Sequence, residues 1–190
     1  MSWKTLALVA AANLAMGAAP VPKAAPAKSA PAKAAVKPAA RTALAPRDDG
    51  FDARDPASMV ALLALTDAKA VVAGKEADSV FLKVTTNTVA FIVQFAGCDP
   101  QGRKCRAVQF DNTADKAGPT LGQINGYNQT SATCRSIKDK SGQAHVLYST
   151  LLLTADSRDR ITQHLSAWQG CLAEFRDFVN DPTAYLAAAP

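Results

Sequence analysis

The chain has 190 residues and a formal charge of +5, a balance that on its face invites a polyanionic partner. The distribution removes that inference for most of the chain. Residues 1–47 hold seven of the 21 Lys/Arg and none of the 16 Asp/Glu, so the front carries +7 and the remainder 14 − 16 = −2.

The chain opens MSWKTLALVAAANLAMGAAP, with Lys4 ahead of an apolar run, Thr5–Met16, broken only by Asn13. Small residues follow at Ala15, Gly17, Ala18 and Ala19. This is the layout of a secretory signal peptide over residues 1–19. The run falls short of the roughly 20 residues that a membrane-spanning helix needs, so cleavage is preferred over an uncleaved anchor. No cysteine follows the run, which argues against a lipoprotein anchor. Residues 20–50 form an Ala/Pro/Lys-rich linker whose repeated prolines prevent a continuous helix. It reads as a disordered, extended spacer of ~3.1 Å per residue. Spaced lysines also suit phosphate binding, but an exported chain does not meet the chromosome.

Residues 51–181 are long enough for one single-core domain, followed by an Ala-rich tail, 182–190. DPASMVALLALTDA predicts a helix with Asp55 as N-cap and Pro56 in its first turn. A short strand near Ala70–Val72 ends at Gly74. Two strands, about Val80–Val84 and Thr88–Ala96, flank a Thr-Asn turn; in the second, Phe91, Val93 and Phe95 share a face. Another strand, Cys105–Asp111, alternates Val108 and Phe110 with Ala107 and Gln109. A helix starts near Thr120, and Ala132–Lys138 and Ala144–Leu153 form a hairpin around DKSG. The last helix shows apolar positions at Ile161, Leu165, Trp168, Leu172, Phe175 and Val179. The element order reads α-β-β-β-α-β-β-α, and the expected fold is α+β, an antiparallel sheet packed by helices.

Pairing the strands on either side of GCDPQGRKC so that positions summing to 203 face each other puts Phe95 opposite Val108 and Val93 opposite Phe110. The same register places Cys98 opposite Cys105, on the other face, at the ~4.5–5.5 Å Cα spacing of opposed residues. That is within disulfide reach, and export supplies the oxidising compartment. Six intervening residues suit neither a C-x-x-C redox pair nor a zinc knuckle. With that bridge fixed, Cys134–Cys171 is the only other one, against two buried unpaired thiols.

Together these motifs resemble the YbjN family, proteins called bacterial sensory-transduction regulators. The matching residues are Phe95, Gly97, Cys98, Cys105, Arg106, Gln109 and Phe110; Ile124, Asn125, Tyr127 and Asn128; Asp139 and Gly142; and Phe175, Arg176, Phe178 and Val179. The chain departs from the family in having Tyr127 in place of Trp, Ala132 and Thr133 where an Arg-Phe pair is common, and a neutral LYSTLLL strand. The resemblance implies a fold similar to type III secretion chaperones. Since those work as dimers, it also suggests a homodimer through a sheet edge or a helix. It implies no catalytic residue.

His145 and His164 sit in no nucleophile or metal motif. DDGFDARD lacks the ligand spacing of a calcium loop, and no metal or cofactor is expected. Two features are candidates for recognition: the cluster Asn125, Tyr127 and Asn128, and a basic hairpin tip of Arg103, Lys104 and Arg106. For the first, the competing reading is that the asparagines cap or turn the backbone while Tyr127 packs inside; for the second, that the charges are simply solvated. The expected function is a non-enzymatic protein-binding or regulatory module, periplasmic or secreted. Its partner would be another bacterial envelope protein, with no nucleic acid and no stable membrane insertion after leader removal. The alternatives are a thiol-disulfide enzyme using Cys98 and Cys105, and nucleic-acid binding through the lysine-rich tail.

Overall fold

Asp55 starts the first helix as its position ahead of a proline suggests: its carboxylate accepts the Ala57 N–H at 2.9 Å. The computed structural model describes residues 50–115 and 118–189. The expected leader and, apart from Gly50, the expected linker lie outside the described residues. The elements are α1 (Pro56–Leu63), β1 (Lys69–Lys75), β2 (Ser79–Thr85), β3 (Ala90–Ala96), β4 (Ala107–Thr113), α2 (Leu121–Thr130), β5 (Arg135–Lys138), β6 (Ala144–Leu151), α3 (Arg158–Asn180) and α4 (Pro182–Ala188). Among the described residues no helix is long and apolar enough to cross a membrane.

The strands form one antiparallel sheet in the order β1-β2-β3-β4-β6-β5. The fold is α+β, as the pattern predicts. Two elements differ from the expected order. Four strands, not three, precede the second helix, because the segment around Ala70–Val72 extends to a full seven-residue edge strand. The Ala-rich tail closes as a short helix, α4, whose N-cap Asp181 accepts the Ala184 N–H at 3.0 Å. Its Tyr185 and Leu186 pack against the core.

Period-two alternation assigns the faces. Leu82, Val84, Val93, Phe95, Val108, Phe110 and Val146 are almost wholly buried on one face, where the helices lie. At the centre, Trp168 of α3 sits against Phe91 and Phe110, with ring centroids 5.5 and 5.7 Å away. A second aromatic group, Tyr127, Phe175, Phe178 and Tyr185, joins α2, α3 and α4.

The α3 stripe is rotated from the expected one. Ile161, Trp168 and Phe175 are buried as expected, but His164, Cys171 and Phe178 fill the intervening core positions. Leu165, Leu172 and Val179 are only partly buried. The helix has more apolar surface than one sheet contact uses, so the sheet selects the face that centres Trp168.

The β3–β4 register is the expected one: Phe95 opposes Val108 and Val93 opposes Phe110. Both disulfides are present, Cys98–Cys105 and Cys134–Cys171, the latter with Cα atoms 5.5 Å apart. The first differs in detail. Ladder pairing ends at Ala96–Ala107, and the Arg106 N–H donates to the Ala96 carbonyl, one residue off register. Gly97 and Lys104 have left-handed backbone, φ 66° and 52°. The bridge is therefore not an opposed-strand pair on the open face: its Cα atoms are 3.8 Å apart, and Cys105 is fully buried with the core. A one-residue slip beside a left-handed residue re-aims the side chains beyond it.

Because Cys134–Cys171 ties the start of β5 to the middle of α3 across 37 residues, chain entropy gives it up to ~4 kcal/mol. Urea unfolding of the Cys134→Ser/Cys171→Ser double variant is expected to show a loss of a few kcal/mol with an unchanged sheet. A loss below ~0.5 kcal/mol, the scatter of ordinary surface changes, would show that the bond carries no load.

Candidate recognition surface

The hairpin tip is built around Asp99. Its carboxylate accepts the backbone N–H groups of Gln101 and Arg103, at 3.1 and 2.8 Å, while its own N–H donates to the Arg103 carbonyl at 2.7 Å. Gly102 has φ +78° and is buried; a Cβ there would lie 3.0 Å from a Val80 methyl, so a side chain is excluded on both counts. The tip is pinned to the body by the Cys98–Cys105 bond, by Cys105 N–H to the Arg54 carbonyl at 3.0 Å, and by Lys75 Nζ to the Pro100 carbonyl at 2.9 Å. Arg103, Lys104 and Arg106 are exposed on it, as the sequence suggests. Carboxylates stand close by: Asp52 makes a two-point contact with Arg54, both at 3.0 Å, which holds its pKa below the usual carboxylate range. The tip is a rigid mixed-charge rim more than a cationic patch.

The second cluster does not form a surface. Tyr127 is fully buried, 4.8 Å from Phe178 between ring centroids, and burial together with the nearby Glu174 carboxylate pushes its pKa well up. It is a core residue and not a ligand contact. Asn128 faces the backbone of β5: its amide nitrogen donates to the Ser136 carbonyl at 2.9 Å, and its oxygen accepts the Ser136 N–H at 2.7 Å. The side chain thus docks α2 on the sheet as an extra strand residue would. Only Asn125 is exposed. Tyr127 packs inside and Asn128 bonds the backbone, as the competing reading has it for those two residues.

Both histidines have structural partners. His145 Nδ1 lies 2.9 Å from Asp111 Oδ1 and 3.2 Å from Thr113 Oγ1, on the open face of the sheet. His164 is buried, its Nδ1 2.6 Å from the Tyr148 hydroxyl. Asp139 caps the DKSG turn, accepting from the Ser141 hydroxyl and the Gln143 N–H, which lower its pKa. Among the described residues no group of three or more His, Cys, Asp or Glu is placed to hold a metal ion.

What remains is a groove of about 1230 Å³ beside α3, running from the end of α1 past the β2–β3 turn. Leu62, Leu63, Val89, Leu165, Leu172 and Val179 form its apolar wall, and Asp67, Lys83 and Asp111 are among the charged residues that share the lining. Three of these, Leu165, Leu172 and Val179, are the α3 residues that the sheet leaves partly uncovered. Their spacing of seven puts them in line along the helix, with Trp168, Gln169, Phe175 and Arg176 between them in the lining. Trp168 also borders the groove, and its buried indole N–H has no hydrogen-bond acceptor among the described residues.

Sequence reasoning missed this surface because it assigned Leu165, Leu172 and Val179 to the core. The signal was present: Cys171 and Phe178, one residue before two of these positions, give α3 two adjacent apolar stripes, one more than a single sheet contact fills. No family model, curated protein or solved structure matches the chain.

The contrast within the asparagine cluster is measurable. Asn128→Ala leaves two Ser136 backbone groups without their partners and is expected to cost about 1–3 kcal/mol in urea unfolding. Asn125→Ala is expected to stay within ~0.5 kcal/mol of wild type. Equal effects would undo the assignment of Asn128 as the docking residue.

Proposed function

We propose that the chain is an exported, non-enzymatic protein-binding module of the YbjN type, acting in the bacterial envelope through the groove beside α3. The observation that carries this reading is the Leu165–Leu172–Val179 seam: an apolar strip on a long helix, facing Leu62, Leu63 and Val89 across open space. Apolar grooves of this kind receive the apolar side of another chain, whose buried area supplies the affinity. Two disulfides support the export half of the reading, because such bonds persist in oxidising compartments. Periplasmic or secreted localisation follows from the leader at residues 1–19. The resemblance to secretion chaperones points the same way, as fold-level analogy. A second copy of the chain is the alternative occupant of the groove.

The competing chemistries have less behind them. Thiol-disulfide exchange needs an accessible sulfur and a stabilised thiolate, whereas Cys105 is fully buried and Cys98 partly buried. Nucleic-acid binding was assigned to the lysine-rich tail, which lies outside the described residues.

A photo-crosslinking residue introduced in the mature protein in place of Leu172 is expected to capture a defined envelope protein. The adduct should disappear when Leu165→Glu charges the groove. The same probe in place of exposed Leu151 should capture nothing above background. Equal capture from both positions, or an adduct indifferent to Leu165→Glu, would refute the groove as the binding surface.

A further inference from the structure

The first turns of α3 meet the rest of the domain through noncovalent contacts. Ile161 is buried, the Arg158 guanidinium lies 5.1 Å from the centre of the Phe51 ring, and His164 bonds to Tyr148 of β6. The C-terminal half is held differently. Cys171 is covalently bonded to Cys134, and Phe175 and Phe178 sit in the aromatic cluster with Tyr127. The two halves of one helix therefore depend on contacts of different chemistry: a buried histidine in the first and a disulfide in the second.

We propose that the Tyr148–His164 contact is an acid-sensitive latch: protonation of His164 loosens the first two turns of α3 from the sheet while the disulfide keeps the rest of the helix docked.

The geometry sets the direction. Burial raises the Tyr148 pKa, so the phenol keeps its proton, and its hydroxyl shares a hydrogen bond with Nδ1 of the neutral His164 ring, the donor being set by the ring's tautomer. A proton arriving on the ring places a charge at a site where His164 and Tyr148 are each only 9 % exposed, a cost that the released half-helix does not carry. The charged groups facing the ring are Arg160, one turn earlier on α3, and Asp156, from the segment before the helix. Burial and then Arg160 oppose protonation, and Asp156 favours it less strongly, so the His164 pKa lies below the ordinary histidine value. Asp156 is itself occupied, accepting the Leu153 N–H at 2.7 Å.

The linkage follows from that lowered pKa. When the half-helix is released, His164 takes up a proton near the ordinary value of ~6.5; in the docked state it resists until the pH is lower. The latch is therefore at full strength above ~6.5 and weakens as pH falls, by up to about tenfold in the closed-to-open ratio per pH unit. Below the folded-state pKa no further loss accrues. Leu165 lies in the released portion and walls the groove, so acid would change the site to which binding is assigned above. Only that consequence rests on the binding proposal; the latch itself does not.

Amide hydrogen exchange of the full mature chain, disulfides intact and rates corrected for intrinsic pH dependence, tests it without any partner. Between pH 6.5 and 5.5, exchange in residues 158–167 should accelerate by up to about tenfold while residues 172–180 hold steady. His164→Gln, which keeps an acceptor for the Tyr148 hydroxyl but does not titrate, should abolish the acceleration. Loss of protection in both halves together, no change in either, or an unaltered pH response in His164→Gln would each overturn the latch. Should that variant fail to fold, the wild-type ring decides alone: a His164 NMR titration midpoint at or above ~6.5 overturns the proposal, and one below it supports it.

Discussion

Trp168 is the contact on which the arrangement of this domain turns. Its indole is 1 % exposed and lies between Phe91 on β3 and Phe110 on β4, the two strands at the middle of the sheet. Burying a side chain of that size is worth several kcal/mol, of the order lost when a core Trp is cut to Ala. It is available only if the Phe91/Phe110 face is the one the helix covers. That choice sets the rotation of α3. The rotation in turn places Cys171 toward Cys134, His164 toward Tyr148, and Leu165, Leu172 and Val179 toward the groove. One packing decision thus produces the second disulfide, the buried polar pair and the candidate binding seam together.

Sheet register was legible in the sequence because the constraint on it is nearly binary. With Phe91, Val93 and Phe95 on one strand and Val108 and Phe110 on the other, a one-residue slip moves a whole apolar set to the wet face. Only one nearby register avoids that. The helix posed a softer problem. An α-helix with apolar residues at 161, 165, 168, 171, 172, 175, 178 and 179 and a histidine at 164 offers two overlapping stripes, whose distinguishing neighbours sit about 100° apart around the axis, and periodicity alone does not say which the sheet will take. Tertiary packing decided, through the size of Trp168 and the covalent demand of Cys171. The same limit explains the hairpin tip. Spacing was enough to bring Cys98 and Cys105 together, but the left-handed backbone at Gly97 and Lys104 that turns Cys105 inward has no counterpart in a two-strand register.

The candidate site was less legible than the fold, for a related reason. Asn125, Tyr127 and Asn128 stand out in sequence as polar and aromatic residues together, which suits recognition as well as it suits helix docking. Their roles separate only when α2 is placed against β5, where the Asn128 amide meets both backbone groups of Ser136. Surface chemistry carried by exposed charged residues, such as Arg103 and Lys104, could be located from sequence because turns are exposed almost by construction. A groove walled by leucines that resemble core residues could not.

The uncovered face of the sheet bears on where a partner would sit. Across its middle runs a polar row in which Gln94 opposes Gln109 and Gln109 opposes Ser149, the last two hydroxyl-to-amide at 3.1 Å. Beside it, Ile92 stands between Lys83 and Asp111. The outer edge strand, β1, carries lysines at both ends and a register slip between Val72 and Gly74, devices that discourage strand addition. Apolar residues on this face are interrupted by polar ones, so it can stay wet without large cost. Along the Leu165–Leu172–Val179 line the groove is lined by Trp168 and Phe175 as well as by the polar Gln169 and Arg176. The Leu165–Leu172–Val179 groove thus offers a partner a recessed surface on the helical side, next to the half-helix that carries the buried His164.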